Sequence, residues 1–101
     1  MVIKEGVKIN GLRTELLLGI MIADRIWKNH GNVLVITEVY PTSQHKISSA
    51  HNTGRGADLR TFYFDDREEK EEVAQELREA LGENYDVVLE STHIHLEYDP
   101  K

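Results

Sequence analysis

The 101-residue chain contains no cysteine, only two prolines and one tryptophan, and no long apolar run. The absence of cysteine excludes disulfides, thiolate zinc fingers, iron–sulfur clusters and a cysteine nucleophile. A metal site in this chain must therefore use His, Asp, Glu or water as ligands. The longest apolar run, residues 16–23, is far shorter than the roughly 20 residues of a membrane-spanning helix.

Basic residues are outnumbered, with 12 Lys and Arg against 18 Asp and Glu and a formal net charge of −6. Because nucleic-acid phosphates bind basic faces, we expect no nucleic-acid partner. Residues 65–90 hold eleven of the acids and three of the bases, a local charge of −8, so the remaining residues sum to +2. We interpret this acidic block as the solvated face of a helix, with an acidic partner-binding surface as the alternative.

Length and targeting signals set the expected organisation. A chain of 101 residues predicts one domain over residues 1–101, and we expect a monomer. The first residues lack an apolar segment of signal-peptide length. The chain is therefore expected to be cytoplasmic as synthesised, with no membrane association.

Apolar periodicity predicts two main helices, at residues 12–27 and 66–81. Asn10 or Thr14 is the expected N-cap of the first helix. Asp66, with a glutamate three residues later, forms a capping-box pattern at the start of the second.

Short β-branched or alternating segments predict four strands, and a long loop is expected over residues 40–55. This pattern indicates an α+β fold with a small antiparallel or mixed sheet and its helices on one side. The predicted strands are residues 33–37, 56–64, 85–89 and 92–98.

Two segments that contain histidine hold the candidate metal ligands. His51 is followed seven residues later by Asp58, and His93 and His95 lie on one face of the last predicted strand. If the two strands are neighbours, His51, Asp58 and one or both later histidines converge. Two His and one carboxylate form a common catalytic zinc set with a fourth position open. The alternative is a polar loop with His51 exposed and Asp58 bonded to backbone or to Arg60.

The spacing S-x-H-x-x-G-x-[AG]-x-D, followed by H-x-H, resembles the zinc peptidases of the Hedgehog/D-Ala-D-Ala peptidase superfamily. The similarity covers residues 11–99 and is greatest to small phage-type peptidoglycan peptidases. It implies a zinc metallopeptidase that cleaves a bond in the peptidoglycan stem peptide, as a carboxypeptidase or an endopeptidase. The residues at the defined positions of the first motif are Ser49, His51, Gly54, Gly56 and Asp58.

The resemblance also implies roles for individual residues. His51, Asp58 and His95 would be the zinc ligands. Ser49 would hydrogen-bond one of them, with a role only in the turn as the alternative. His93 would bind or protonate the reacting group.

The position of the general base agrees less closely with the family motif than the zinc ligands do. Glu90 is the candidate that activates the attacking water, but some family members place this carboxylate three residues before the last ligand, where this chain has Thr92. Either Glu90 reaches in from the start of the strand or His93 acts as the base alone. An exchange of ligand roles between His93 and His95 is also open.

Substrate binding differs from the family pattern as well. Residues 37–41 lack the substrate-binding arginine that many members carry there. Lys46 and Arg55 are the candidates to hold a substrate carboxylate, with ordinary exposed roles as the alternative, and His45 is placed at the rim of the site.

Two other functions fit the same residues: a non-catalytic zinc or calcium module, and a metal-free phage or prophage structural protein. The Hedgehog branch holds zinc in a binding protein. A wall peptidase acts outside the cell membrane, so the resemblance to phage proteins implies release by a lysis system or carriage on the virion.

Overall fold

A computed structural model of the protein describes residues 1–8, 11–39 and 55–100. These residues form an α+β fold with two helices and a five-stranded sheet. In chain order the elements are β1 (Val2–Ile3), α1 (Thr14–Asn29), β2 (Val35–Val39), β3 (Gly56–Arg60), α2 (Arg67–Leu81), β4 (Tyr85–Leu89) and β5 (His93–Tyr98).

The sheet is mixed, with strand order β1-β2-β3-β5-β4. β1 pairs with β2 in parallel, and the other neighbours are antiparallel. β1 is absent from the sequence-based prediction, because two residues are too few to show an alternating pattern. The central pair, β3 and β5, joins two segments more than 30 residues apart in the chain.

Side-chain alternation gives the sheet one apolar face and one polar face. On β3 and β5, Ala57 is paired with Leu96 and Leu59 with Ile94, and all four are fully buried. They form one hydrophobic cluster with residues of both helices. The intervening residues of the same strands must then lie on the opposite face.

α1 supplies the largest part of the core. Its N-cap is Arg13, which is extended and makes no side-chain cap, so the prediction of Thr14 as the cap was wrong; Asn10 lies outside the described residues. A Cβ at Gly19 would lie 3.0 Å from a ring carbon of Tyr85, so glycine permits this close approach. The buried residues of α1 are Leu16, Gly19, Ile20, Ala23, Ile26 and Trp27.

α2 begins and ends at the predicted signals. The Asp66 side chain accepts a hydrogen bond from the Glu69 amide at 2.8 Å, and Glu69 in turn accepts one from the Asp65 amide at 3.0 Å. Gly82 ends the helix with a φ of +83°, which glycine adopts at little cost. The helix buries a narrow apolar stripe formed by Val73, Ala74 and Leu77.

Two strand boundaries differ from the prediction. β2 begins two residues later than expected, and its pairing with β3 shifts between Ile36 and Glu38. β3 ends at Arg60 rather than at Phe64, because the Phe64 amide donates to the Thr61 carbonyl at 3.0 Å and turns the chain. Most of the predicted loop, residues 40–54, lies outside the described residues.

Within the described ranges, neither helix is both long and apolar enough to cross a membrane.

His30 links the two helices. It caps the C-terminal end of α1, and its ring nitrogens lie 3.1 Å from Glu69 Oε2 and 2.6 Å from Glu76 Oε2 on α2. Burial lowers the pKa of His30, but the hydrogen bonds and charges of Glu76 and Glu69 outweigh it and raise the pKa above 6.5. The protonated imidazole therefore stabilises the contact between the helices.

This link predicts a pH dependence of folding. Because the pKa of His30 is higher in the folded than in the unfolded chain, its contribution is complete below pH 6.5 and is lost as the pH rises through the folded pKa. We expect His30→Gln to lower the free energy of unfolding by about 1 kcal/mol at low pH, a value that allows for solvent screening at the more exposed Glu76. Urea unfolding of both proteins in chelator, from about pH 6 to about pH 9, measures the difference. A wild-type advantage that stays constant or grows with pH would contradict this assignment.

Candidate metal centre

The register of β3 and β5 brings Asp58 to the two strand histidines. Asp58 is paired directly with His95, and Arg60 with His93. Asp58 Oδ1 lies 2.9 Å from His95 Nδ1 and 3.7 Å from His93 Nε2. The two strands are thus neighbours, as the convergence of these residues requires. The roles of Asp58 and His95 as ligands stay a prediction.

His95 lies between two carboxylates on the polar face of the sheet. Its Nδ1 contacts Asp58, and its Nε2 lies 3.1 Å from Glu97 Oε1. The three side chains are largely buried, at 13% exposure for His95, 14% for Glu97 and 11% for Asp58. Both ring nitrogens of His95 therefore have a charged partner within hydrogen-bond distance.

These contacts set the protonation of His95. Burial lowers its pKa, but the hydrogen bonds and charges of Asp58 and Glu97 outweigh burial and raise the pKa above 6.5. The raised pKa widens the pH range in which His95 is an imidazolium able to donate to both carboxylates. A metal at Nδ1 would have to replace that proton.

The donor atoms of Asp58 and His95 fit a shared zinc ion. Carboxylate oxygen and imidazole nitrogen are both common zinc donors, and ligands about 2.0–2.1 Å from a tetrahedral ion lie about 3.3 Å from each other. The observed 2.9 Å between Asp58 Oδ1 and His95 Nδ1 requires only a small opening of the pair. His93 Nε2 approaches the same carboxylate oxygen from the adjacent position on β5.

Glu90 lies beside His93 rather than beside His95. It follows β4 directly, and its amide donates to the His93 carbonyl at 2.8 Å in the turn to β5. Its side chain is exposed, whereas His93 is about one-third exposed, at 32%. Thr92 Oγ1 lies 3.3 Å from His93 Nδ1 and fixes the ring on its other side. Both candidate bases therefore lie at or next to the turn that joins β4 to β5.

Arg55 directly precedes β3. Its carbonyl accepts from the Tyr98 amide at 2.8 Å, which continues the β3–β5 ladder by one residue. Its side chain is partly buried, and Nε has no hydrogen-bond partner among the residues that the structure describes. Arg55 lies five residues from Arg60 along the chain, at the opposite end of β3. Its role in binding a substrate carboxylate stays a prediction.

Four of the predicted site residues lie outside the described residues. They are His45, Lys46, Ser49 and His51.

Glu97 is the site residue that sequence reasoning missed as a functional group. The signal was present, because Glu97 follows His93 and His95 at the two-residue spacing of one strand face. The spacing alone did not show that its carboxylate turns back along β5 to the His95 ring.

Two further groups of possible metal ligands occur among the described residues, each with donor atoms within 4.8 Å of one another. One joins His30 to α2, and the other joins Glu97 to two aspartates. Acidic groups of this kind are common without a metal. The groups are His30, Glu72 and Glu76, and Asp86, Glu97 and Asp99.

Comparison of the chain with protein-family models, with curated proteins and with solved structures finds no match.

Proposed function

We propose that the protein is a zinc-dependent metallopeptidase of the Hedgehog/D-Ala-D-Ala peptidase type that cleaves a peptide bond in the peptidoglycan stem. The observation that supports this most is the pairing of Asp58 with His95, two motif residues 37 positions apart, at 2.9 Å on one sheet face. The two motifs are therefore joined by the fold as a shared metal site requires.

In this proposal Asp58 and His95 hold the metal together with His51. A bound zinc ion would supply Lewis acidity and lower the pKa of water. We assign to His93 the role of hydrogen-bonding the carbonyl oxygen of a peptide or of moving a proton. Its greater exposure than His95 and its 3.7 Å distance from Asp58 support this role. Glu90, next to His93 in the turn, is the second candidate for proton transfer.

Metal analysis and digestion of muropeptides test this function. Purified protein is expected to bind one zinc ion and to cleave stem peptides, with cleavage lost in chelator and restored by added zinc. The products separate a carboxypeptidase, which releases one terminal residue, from an endopeptidase, which divides the peptide. Absence of zinc binding together with absence of cleavage would overturn the proposal.

A non-catalytic zinc module is the second candidate, and the exposed position of Glu90 in the β4–β5 turn favours it. In such a module neither Glu90 nor His93 acts on a substrate. Glu90→Gln and His93→Ala would then leave function intact, whereas His95→Ala would unfold the domain. The peptidase proposal instead expects loss of cleavage in at least one of the first two variants while the fold is kept, and loss of both zinc binding and cleavage in His95→Ala.

A metal-free structural protein is a third candidate, because the ion pairs of His95 with Asp58 and Glu97 exist without a metal. Melting in zinc and in chelator separates this function from the other two. A ligand that binds only the folded chain must raise its melting temperature. Equal melting temperatures would favour the metal-free protein.

A further inference from the structure

We infer that Glu97 is a positioning residue for the proposed zinc site, where it holds the His95 ring with Nδ1 directed to the metal. This inference rests on the proposed function, because it assigns the residue that orients one of the proposed ligands. Glu97 itself does not contact the metal or the substrate in this role.

The contact geometry supports this role directly. Glu97 Oε1 lies 3.1 Å from His95 Nε2, on the side of the ring opposite the Asp58 contact at Nδ1. A neutral imidazole carries one N–H, and the nitrogen without it is the metal donor. When Glu97 accepts the proton of Nε2, the lone pair of Nδ1 is left free on the side of Asp58. The tautomer and the ring direction are then set by the same bond.

Burial makes this hydrogen bond effective. Glu97 and His95 are 14% and 13% exposed, so water competes only weakly for either group. A carboxylate that accepts from the second nitrogen of a ligand histidine raises the basicity of the ring, and its loss typically weakens metal binding about 10- to 100-fold.

A second interpretation is that Glu97 contributes only negative charge. Asp86 is paired with Glu97 across β4 and β5, and the carboxylates of Asp86, Asp99 and Glu97 lie within 4.8 Å of one another. Any of the three would then attract a cation through space. Glu97 Oε1 lies at hydrogen-bond distance from His95 Nε2, at 3.1 Å. A hydrogen bond fixes the direction of the ring, whereas charge acts through space without one, so substitutions can distinguish the two roles.

Three substitutions make the test. Glu97→Leu removes the acceptor and the charge, Glu97→Gln removes the charge but keeps an amide oxygen as acceptor, and Asp86→Asn removes one neighbouring charge. Zinc affinity is measured by competition with a chromogenic chelator, and the cobalt-substituted proteins are compared by their visible absorption. Long-range proton–nitrogen NMR of the zinc-loaded proteins reports which nitrogen of His95 carries the proton.

If Glu97 positions the His95 ring, the three variants should differ in zinc affinity in a fixed order. We expect Glu97→Leu to weaken zinc binding about 10- to 100-fold and to change the cobalt spectrum. Glu97→Gln should lose clearly less zinc affinity and keep His95 protonated at Nε2. Asp86→Asn should keep both this tautomer of His95 and the cobalt spectrum. Since Glu97→Gln is nearly isosteric, it remains informative if Glu97→Leu folds poorly.

Two negative results are distinguishable. In the first, the wild-type protein binds zinc and all three variants lose the same small amount of zinc affinity. Glu97 then acts through charge, and the positioning role is wrong. If wild-type protein binds no zinc, the proposed function fails first, and the role of Glu97 fails with it.

Discussion

If the proposed function holds, Asp58→Asn is expected to weaken zinc binding by more than about 100-fold and to abolish peptide cleavage, because it removes the anionic donor of the proposed zinc site. The amide is nearly isosteric with the carboxylate, so the β3–β5 pairing should be retained. The carboxylate lies 2.9 Å from His95 Nδ1 and 3.7 Å from His93 Nε2, and both contacts weaken together when its charge is lost. Zinc affinity is measured by chelator competition, and cleavage is followed with a muropeptide.

His95→Ala should produce a loss of the same order, because the proposed ion would lose its imidazole donor. His30→Ala is the matched control, since it removes a histidine of similar exposure, 14%, that lies between α1 and α2 instead. We expect this control to destabilise the protein but to keep its zinc affinity and stoichiometry. Zinc binding that survives Asp58→Asn and is lost in His30→Ala would place the metal at the α1–α2 contact and contradict the proposed centre.

The polar face of the sheet was predictable because it depends only on alternation. His93 and His95 are two residues apart, and Ile94 between them is fully buried, so the histidines must face away from the core. Alternation also placed Asp58 on this face, but it left open which of the two histidines lies opposite Asp58. The register of β3 and β5 pairs it with His95.

Other features depend on contacts that no local pattern contains. β1 is too short to show a period, and the early end of β3 results from the turn in which Phe64 donates to Thr61. The bridge from His30 to two acids of α2 spans 39 and 46 residues, so the histidine was predictable only as a residue near a helix end. Long-range side-chain geometry of this kind requires the packed structure.

Trp27→Ala is expected to destabilise the protein by about 3–5 kcal/mol, a large part of the stability of a domain this size. Trp27 is fully buried, and its ring packs edge-to-face on Phe64 at 5.6 Å. Its Nε1 also donates to the Arg60 carbonyl at 3.0 Å, at the end of the strand that carries Asp58. The substitution therefore removes core volume and leaves a backbone acceptor at the end of β3 without its partner. Urea unfolding with chelator present measures the loss.

Two controls divide this effect into its parts. Trp27→Phe keeps most of the buried ring but cannot donate to Arg60, so it should cost about 1 kcal/mol for the hydrogen bond, plus a smaller term for lost volume. Phe62→Ala removes an aromatic ring that is 60% exposed, and its effect should stay within about 0.5 kcal/mol. If Trp27→Ala proved no more destabilising than Phe62→Ala, the packing of α1 on the sheet could not be as described. Because zinc at the proposed site would bind only the folded chain, added zinc should stabilise the wild-type protein and Trp27→Ala by similar amounts, so chelator is kept in every comparison.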